Sequence, residues 1–169
     1  MKFSELIQKR YSVRAYKPDP IEKDELDQVL DAARMAPTAA NRQPFRLVVA
    51  RTENRVSDFK QVYDRDWFVQ APIVICACGF PDEGWVRYDG KQYIDVDVAI
   101  AMDHLILAAA DLGLGTCWIA SFNVEAAREV FGLPNGFDPI VVTPLGYPDD
   151  QPSLKERKML SELVHFERW

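Results

Sequence analysis

The side chains best suited to chemistry are cations gathered around a hydroxyl. Lys9-Arg10-Tyr11-Ser12-Val13-Arg14-Ala15-Tyr16 is an extended, alternating stretch with three cations and no acid. Arginine forks and a serine hydroxyl hold a phosphate by directed hydrogen bonds, so the stretch reads as an anion site or, taken alone, as a solvated basic face. Pro37-Thr38-Ala39-Ala40-Asn41-Arg42-Gln43-Pro44-Phe45 is a run of small and amide residues. Its amides suit a heterocycle with amide-like edges, and equally suit turn chemistry between a helix and a strand. Cys76-Ala77-Cys78 is a weak metal signal. Strand alternation is expected to send its two sulfurs to opposite sides, and no His or further Cys stands at ligand spacing, which disfavours zinc. His104 and His165 are the only histidines, and neither adjoins a credible nucleophile. No Walker-type loop or G-x-S-x-G occurs, and Gly113-Leu114-Gly115 opens a strand where a dinucleotide fingerprint opens a helix. With no nucleophile or acid–base pair of its own, the chain as an enzyme would leave the difficult step to a cofactor.

The elements that must carry these residues centre on Asp95–Ile119. From Val96 to Leu112 the polar residues are Asp97, Asp103, His104 and Asp111. Asp97, His104 and Asp111 are seven apart and form a narrow polar stripe on an otherwise apolar helix. The pattern predicts a core helix enclosed nearly all round, with Asp95 as N-cap and Gly113 ending it in a left-handed turn. The stripe then implies a partner surface or a cofactor nearby. The stretch is too short and too charged for a membrane span.

Around it the spacing predicts a short amphipathic helix over 2–9, a helix from Glu22 to Met35, a strand from Phe45 to Ala50 and a helix from Asn54 to Tyr63. Ile73 to Cys78 reads as a strand buried on both faces. Gly79 to Tyr93 is a loop whose Trp85, Tyr88 and Tyr93 cover the core or roof a pocket. Thr116–Ala120 is a strand, Asn123 caps a helix over Val124–Phe131 that Gly132 ends, and Ile140–Thr143 is the last core strand. Asp149 to Trp169 carries Leu160, Leu163, Val164, Phe166 and Trp169 on a terminal arm, which must bury them, as by wrapping over a second copy of the chain.

Length and composition agree with one domain over 1–169: 48% apolar, 27% charged, net charge −6. That charge argues against general nucleic-acid or membrane-surface binding. Three cysteines in apolar runs read as buried thiols, and Met1 is followed by an amphipathic pattern with no signal peptide, so the expected location is cytoplasmic.

Arg10-x-Ser12-x-Arg14, Ala36-Pro37-Thr38-x-x-Asn41-x-Gln43-Pro44, Gly113-Leu114-Gly115-Thr116-Cys117-Trp118-Ile119, Leu145-Gly146-Tyr147-Pro148 and Lys155-x-Arg157 follow one another in that order. Together they resemble the nitroreductase family of FMN-dependent oxidoreductases, over nearly the whole chain from Lys2 to Trp169. The resemblance implies an α+β fold, a three-layer sandwich with a mostly antiparallel central sheet flanked by helices. It also implies a homodimer built on the long central helix, with arm 149–169 exchanged between subunits and FMN in the interface.

Carried over to this sequence, the resemblance puts Arg10, Tyr11 and Ser12 at the FMN phosphate and ribityl chain, with Lys155 and Arg157 adding cations. Arg14 would lie at the pyrimidine edge, where a cation stabilises the reduced, anionic flavin. Pro37, Thr38, Ala39 and Asn41 would come from the other subunit. Trp118, Ile119, Ala120 and Ser121 would pass beneath the ring, with the Ala120 main-chain N–H donating to N5. The implied reaction is two-step: hydride from NAD(P)H to the flavin, then electrons to a small electron-poor acceptor such as a nitroaromatic or quinone. No residue would be catalytic in its own right. The short 79–93 connection leaves no extra lid helices, and Trp67, Trp85, Tyr88 and Phe122 are the candidates for contacting an acceptor. A non-catalytic flavin carrier or redox sensor, and a dimeric domain binding an acidic partner, are the alternatives.

Overall fold

The computed structural model describes residues 2–153 and 155–169. In chain order its elements are α1 (Phe3–Lys9), α2 (Lys23–Arg34), β1 (Phe45–Arg51), α3 (Val56–Val62), α4 (Asp66–Gln70), β2 (Ile73–Gly79), α5 (Ile94–Asp111), β3 (Gly115–Thr116), α6 (Val124–Phe131), β4 (Asp138–Gly146) and α7 (Leu160–Leu163). The strands form one antiparallel sheet in the order β1-β2-β4-β3.

Strand alternation builds the layers. Ile73, Ile75 and Ala77 of β2 face one core with Val29 and Ala33 of α2 and Val98, Met102 and Leu105 of α5. Val74, Cys76 and Cys78 face a second core with Phe59 of α3, Phe68 of α4 and Ala127 and Phe131 of α6. Helices therefore cover both faces, which is why β2 is buried at every position. The α+β three-layer arrangement expected from the sequence is the one observed.

Several expectations need correcting. Cys76 and Cys78 do not diverge: residues two apart on a strand share a face, only Ala77 between them points away, and the sulfurs lie 3.5 Å apart. Asp95 is not the N-cap of α5; Tyr93 holds that position and Asp95 sits in the first turn. Within the single chain α5 is not enclosed all round, since Val96 is 40% exposed and Asp95, Asp103 and Asp111 are exposed too. The polar stripe does not share one environment, because Asp97 is buried while Asp111 is exposed. The strand expected over Thr116–Ala120 is only Gly115–Thr116, followed by an isolated bridge at Ile119. The 79–93 loop contains a short 3₁₀ turn at Pro81–Glu83 and a bridge between Val86 and Gln92. By contrast Gly113 takes φ +82° after α5, and Asn123 accepts from the Ala126 N–H and caps α6 as anticipated.

Arm residues Leu160, Leu163, Phe166 and Trp169 are 75%, 62%, 85% and 99% exposed. The apolar side chains that the sequence says must be buried are not buried within the single chain. Among the described residues, no helix is long and apolar enough to cross a membrane.

Candidate functional site

The basic N-terminal segment lies along the β3 side of the sheet. Ser12 bridges Thr116 in parallel, and the Val13 N–H donates to the Thr116 carbonyl at 2.9 Å. This approach requires glycine at 115, where a Cβ would stand 2.6 Å from Val13 Cγ2. The Lys17 N–H donates to Tyr147 and the Asp149 N–H to Ala15, each at 2.9 Å, so the root of the C-terminal arm runs beside the same segment.

Asp150 completes that junction. Its Oδ1 accepts from the Tyr11 hydroxyl at 2.9 Å and its Oδ2 from the Arg14 N–H at 2.7 Å. Burial first, then the Asp150 bond and charge, push the Tyr11 hydroxyl up to about 12. Lys155 donates to the Arg10 carbonyl, and its ammonium stands 5.7 Å from the centre of the Tyr11 ring. Arg157 joins Lys155, Ile7 and Gln8 around a neighbouring hollow. Burial, followed by the Arg10 and Arg157 guanidiniums, holds the Lys155 ammonium below its ordinary value. Arg10 and Arg157 each therefore repel Lys155, and a dianion beside the ammonium would relieve that repulsion.

The segment after β3 adjoins this cluster. Burial pushes the Cys117 thiol up, while the Arg14 guanidinium and the Ser12 hydroxyl beside it act in the opposite sense. The Cys117 N–H donates to Thr143 Oγ1 at 3.2 Å, and Ile119 exchanges two 3.0 Å bonds with Val142. The Ile119 side chain faces the second core and its N–H and carbonyl are both paired with Val142, so the residue offers a ligand no free donor. Trp118 is 40% exposed, and Ala120 and Ser121 are exposed. Among the described residues no backbone carbonyl accepts the Ala120 N–H.

The Pro37–Gln43 loop lies elsewhere. Ala39, Ala40 and Asn41 form a short 3₁₀ turn, and the Ala39 N–H donates to Oδ1 of Asp97 near the start of α5 at 2.8 Å. Arg10 and Tyr11 instead line a hollow with Ala110, Gly113 and Leu114 at the end of α5. Between Asp97 and Ala110 the helix advances roughly 20 Å, at about 1.5 Å per residue. The structure thus brings Arg10, Tyr11, Ser12, Arg14, Lys155 and Arg157 to one side of the sheet, next to Thr116 and Cys117, the residues that lead into Trp118–Ser121. Pro37, Thr38, Ala39 and Asn41 it leaves at the other end of α5. Sequence reasoning missed Asp150 and the bond between Asp97 and the Ala39 N–H. A carboxylate inside the apolar run of α5 was the available signal for the second; nothing local marked the first.

Of the aromatic candidates, Trp67 packs edge-on against Tyr63 and Phe68, and Trp85 against Tyr93. Tyr88 is 98% exposed. Among the described residues no cluster of three or more His, Cys, Asp or Glu side chains could hold a metal ion.

Known proteins resemble this chain along its whole length. A solved nitroreductase family protein from Clostridium difficile superposes with a TM-score of 0.91, at 40% identity and complete coverage of both chains. A relative from Methanothermobacter thermautotrophicus named NADH dehydrogenase/NAD(P)H nitroreductase is 30% identical, over 98% of this chain and 86% of its own. The FMN reductase [NAD(P)H] of Bacillus subtilis is 26% identical, over 94% of this chain and 70% of its own. The family model described as Nitroreductase family matches residues 7–65 and 53–147, and the chain belongs to that family.

Proposed function

We propose that the chain is a cytoplasmic, homodimeric FMN-dependent oxidoreductase whose residues 1–169 act as one flavin-binding domain, with 149–169 as an arm laid over the partner. When bound, FMN supplies the redox chemistry, taking hydride at N5 from NAD(P)H and yielding electrons to a small electron-poor acceptor such as a nitroaromatic or quinone. The B. subtilis relative's name supports the cofactor, and the M. thermautotrophicus relative's name supports the reductant.

The observation that carries the reading is the meeting of cations from both ends of the chain, where Lys155 donates to the Arg10 carbonyl and lines a hollow with Arg157. Its donors fit a phosphate: guanidinium forks at Arg10 and Arg157, the Lys155 ammonium and the Ser12 hydroxyl. Beside them Arg14 would offer a cation to the pyrimidine edge, and the Ala120 N–H would offer a main-chain donor to N5. Trp118–Ser121 would pass beneath the ring. Pro37, Thr38, Ala39 and Asn41 would be contributed by the partner, because within one chain they stand at the far end of α5. An isologous pair with antiparallel α5 helices brings each loop to the other chain's cations. It would also cover the groove of Val96, Ala99 and Ile100 on α5 and give the exposed arm a surface.

The test is to load the purified protein with FMN and add NADH or NADPH without oxygen. Loss of the yellow flavin absorbance, restored by a nitroaromatic or quinone, is expected. A protein that retains FMN but stays yellow under both reductants would be a carrier or sensor, and this reading would be wrong.

A further inference from the structure

The side chain of Asp97 is 1% exposed, and its Oδ2 has no hydrogen-bond partner among the described residues. Its Oδ1 accepts one bond, from the Ala39 N–H at 2.8 Å. A buried carboxylate with a single bond is a poor choice for stability, and the other aspartates of α5, Asp95, Asp103 and Asp111, are all exposed. The loop it reaches is itself unusual. Ala40, Asn41 and Gln43 all take positive φ, at 51°, 53° and 53°, a region in which residues with a Cβ are disfavoured.

Such backbone persists when its surroundings over-determine it. The Gln43 N–H donates to Thr38 Oγ1 at 3.0 Å and Gln43 Nε2 to the Asn41 carbonyl at 3.0 Å, which close the turn on itself. The Arg42 guanidinium donates to the Gly84 carbonyl at 2.7 Å and ties the turn to the following loop. Of these bonds and the Asp97 bond, only the last connects the turn to α5.

We propose that Asp97 is a positioning residue: by holding the Ala39 N–H it fixes the left-handed Thr38–Gln43 turn on α5, in the place from which it meets flavin. This rests on the flavin reading above for what the turn contacts, and on the geometry alone for the anchor. Because α5 is also the proposed pairing helix, a turn fixed to it keeps a set position relative to the partner's cations. An anchor of this kind acts on FMN affinity and on flavin geometry, with the cofactor never touching the carboxylate.

The experiment compares native protein with Asp97→Ala, Asp97→Asn and Ala39→Pro, the last removing the donor from the loop side while its ring also restricts the backbone at 38 and 39. Hydrogen exchange of the 38–43 amides in flavin-free protein, FMN affinity and the visible circular dichroism of bound FMN are measured. Asp97→Ala and Ala39→Pro are expected to speed exchange and to raise the FMN Kd by about tenfold or more, with an altered flavin signal. Asp97→Asn keeps an acceptor in place and is expected to stay within about threefold of native on both measures. Native-like exchange and FMN affinity in Asp97→Ala, or an asparagine variant as impaired as the alanine one, would overturn the proposal. If Asp97→Ala does not fold, Ala39→Pro and the asparagine variant decide it by the same criteria. If native protein takes up no FMN, the flavin reading fails, and the exchange comparison still decides whether Asp97 anchors the turn.

Discussion

Replacing Arg10 with alanine is expected to weaken FMN binding by roughly 10- to 150-fold. A charge-assisted hydrogen bond to a phosphate contributes about 1.5–3 kcal/mol, and each 1.4 kcal/mol or so is tenfold in Kd. The structure places the result in the lower part of that range. Lys155 and Arg157 remain beside the vacated position, and the Lys155 ammonium, held down by burial and then by the Arg10 and Arg157 charges, is partly relieved when Arg10 is removed. The assay is a titration of FMN fluorescence quenching at fixed ionic strength, repeated at higher salt. Native affinity should fall as salt rises and the variant's should fall less steeply, because exposed charges are screened over about 10 Å at 0.1 M salt. Riboflavin, which lacks the phosphate, is the control: its affinity should be the same for both proteins within about twofold. An unchanged FMN Kd, or an equal loss for riboflavin, would refute the placement of Arg10 at the phosphate.

Other outcomes follow from the same geometry. In flavin-free protein, millimolar inorganic phosphate should raise Tm more than sodium chloride of equal ionic strength, since an anion that binds only the folded state stabilises it by mass action; equal shifts would count against an anion site. The Tyr11 hydroxyl is raised to about 12 from the ordinary value of about 10, so the protonated form is the one the fold favours. The stability difference between native and Tyr11→Phe should therefore be complete below about pH 10 and vanish as pH rises through about 12, read from urea midpoints. A pH-independent difference would mean the Asp150 bond does not set it. Gly115→Ala should cost about 1–3 kcal/mol by denaturant unfolding and weaken FMN as well, because its Cβ must displace Val13 and the segment beside it. Replacing Leu160, Leu163, Phe166 and Trp169 together by serine should shift sedimentation from two chains toward one, whereas an unaltered two-chain particle would remove the arm from the interface.

The sheet and its covering helices were legible because their signals are local and periodic. The continuous apolar run of β2 states that both its faces are covered, and Gly113, Asn123 and Gly132 mark helix ends by backbone preference. The cation cluster was legible only in pieces, since Arg10 and Lys155 stand 145 residues apart and meet through the pairing of Tyr16 with Pro148. Asp150 carried no local signal because its role depends on that long-range pairing. Asp97 was visible as a polar residue in a mostly apolar helix, but its bond to the Ala39 N–H spans 58 residues and no spacing encodes it. The cysteine geometry was misjudged through the alternation rule itself, which sends neighbours apart and brings second neighbours together.

The claim on which the account turns is that each flavin site joins the cations of one chain to the loop of its partner. Chains carrying Arg10→Ala should be mixed and refolded with chains in which Thr38 and Asn41 are both alanine, at an FMN concentration where neither variant alone binds. In a mixed pair one site carries both lesions and the other carries none, so about one tightly bound FMN per mixed dimer is expected. A mixture that binds no more FMN than its parents would place the whole site within a single chain and contradict the account.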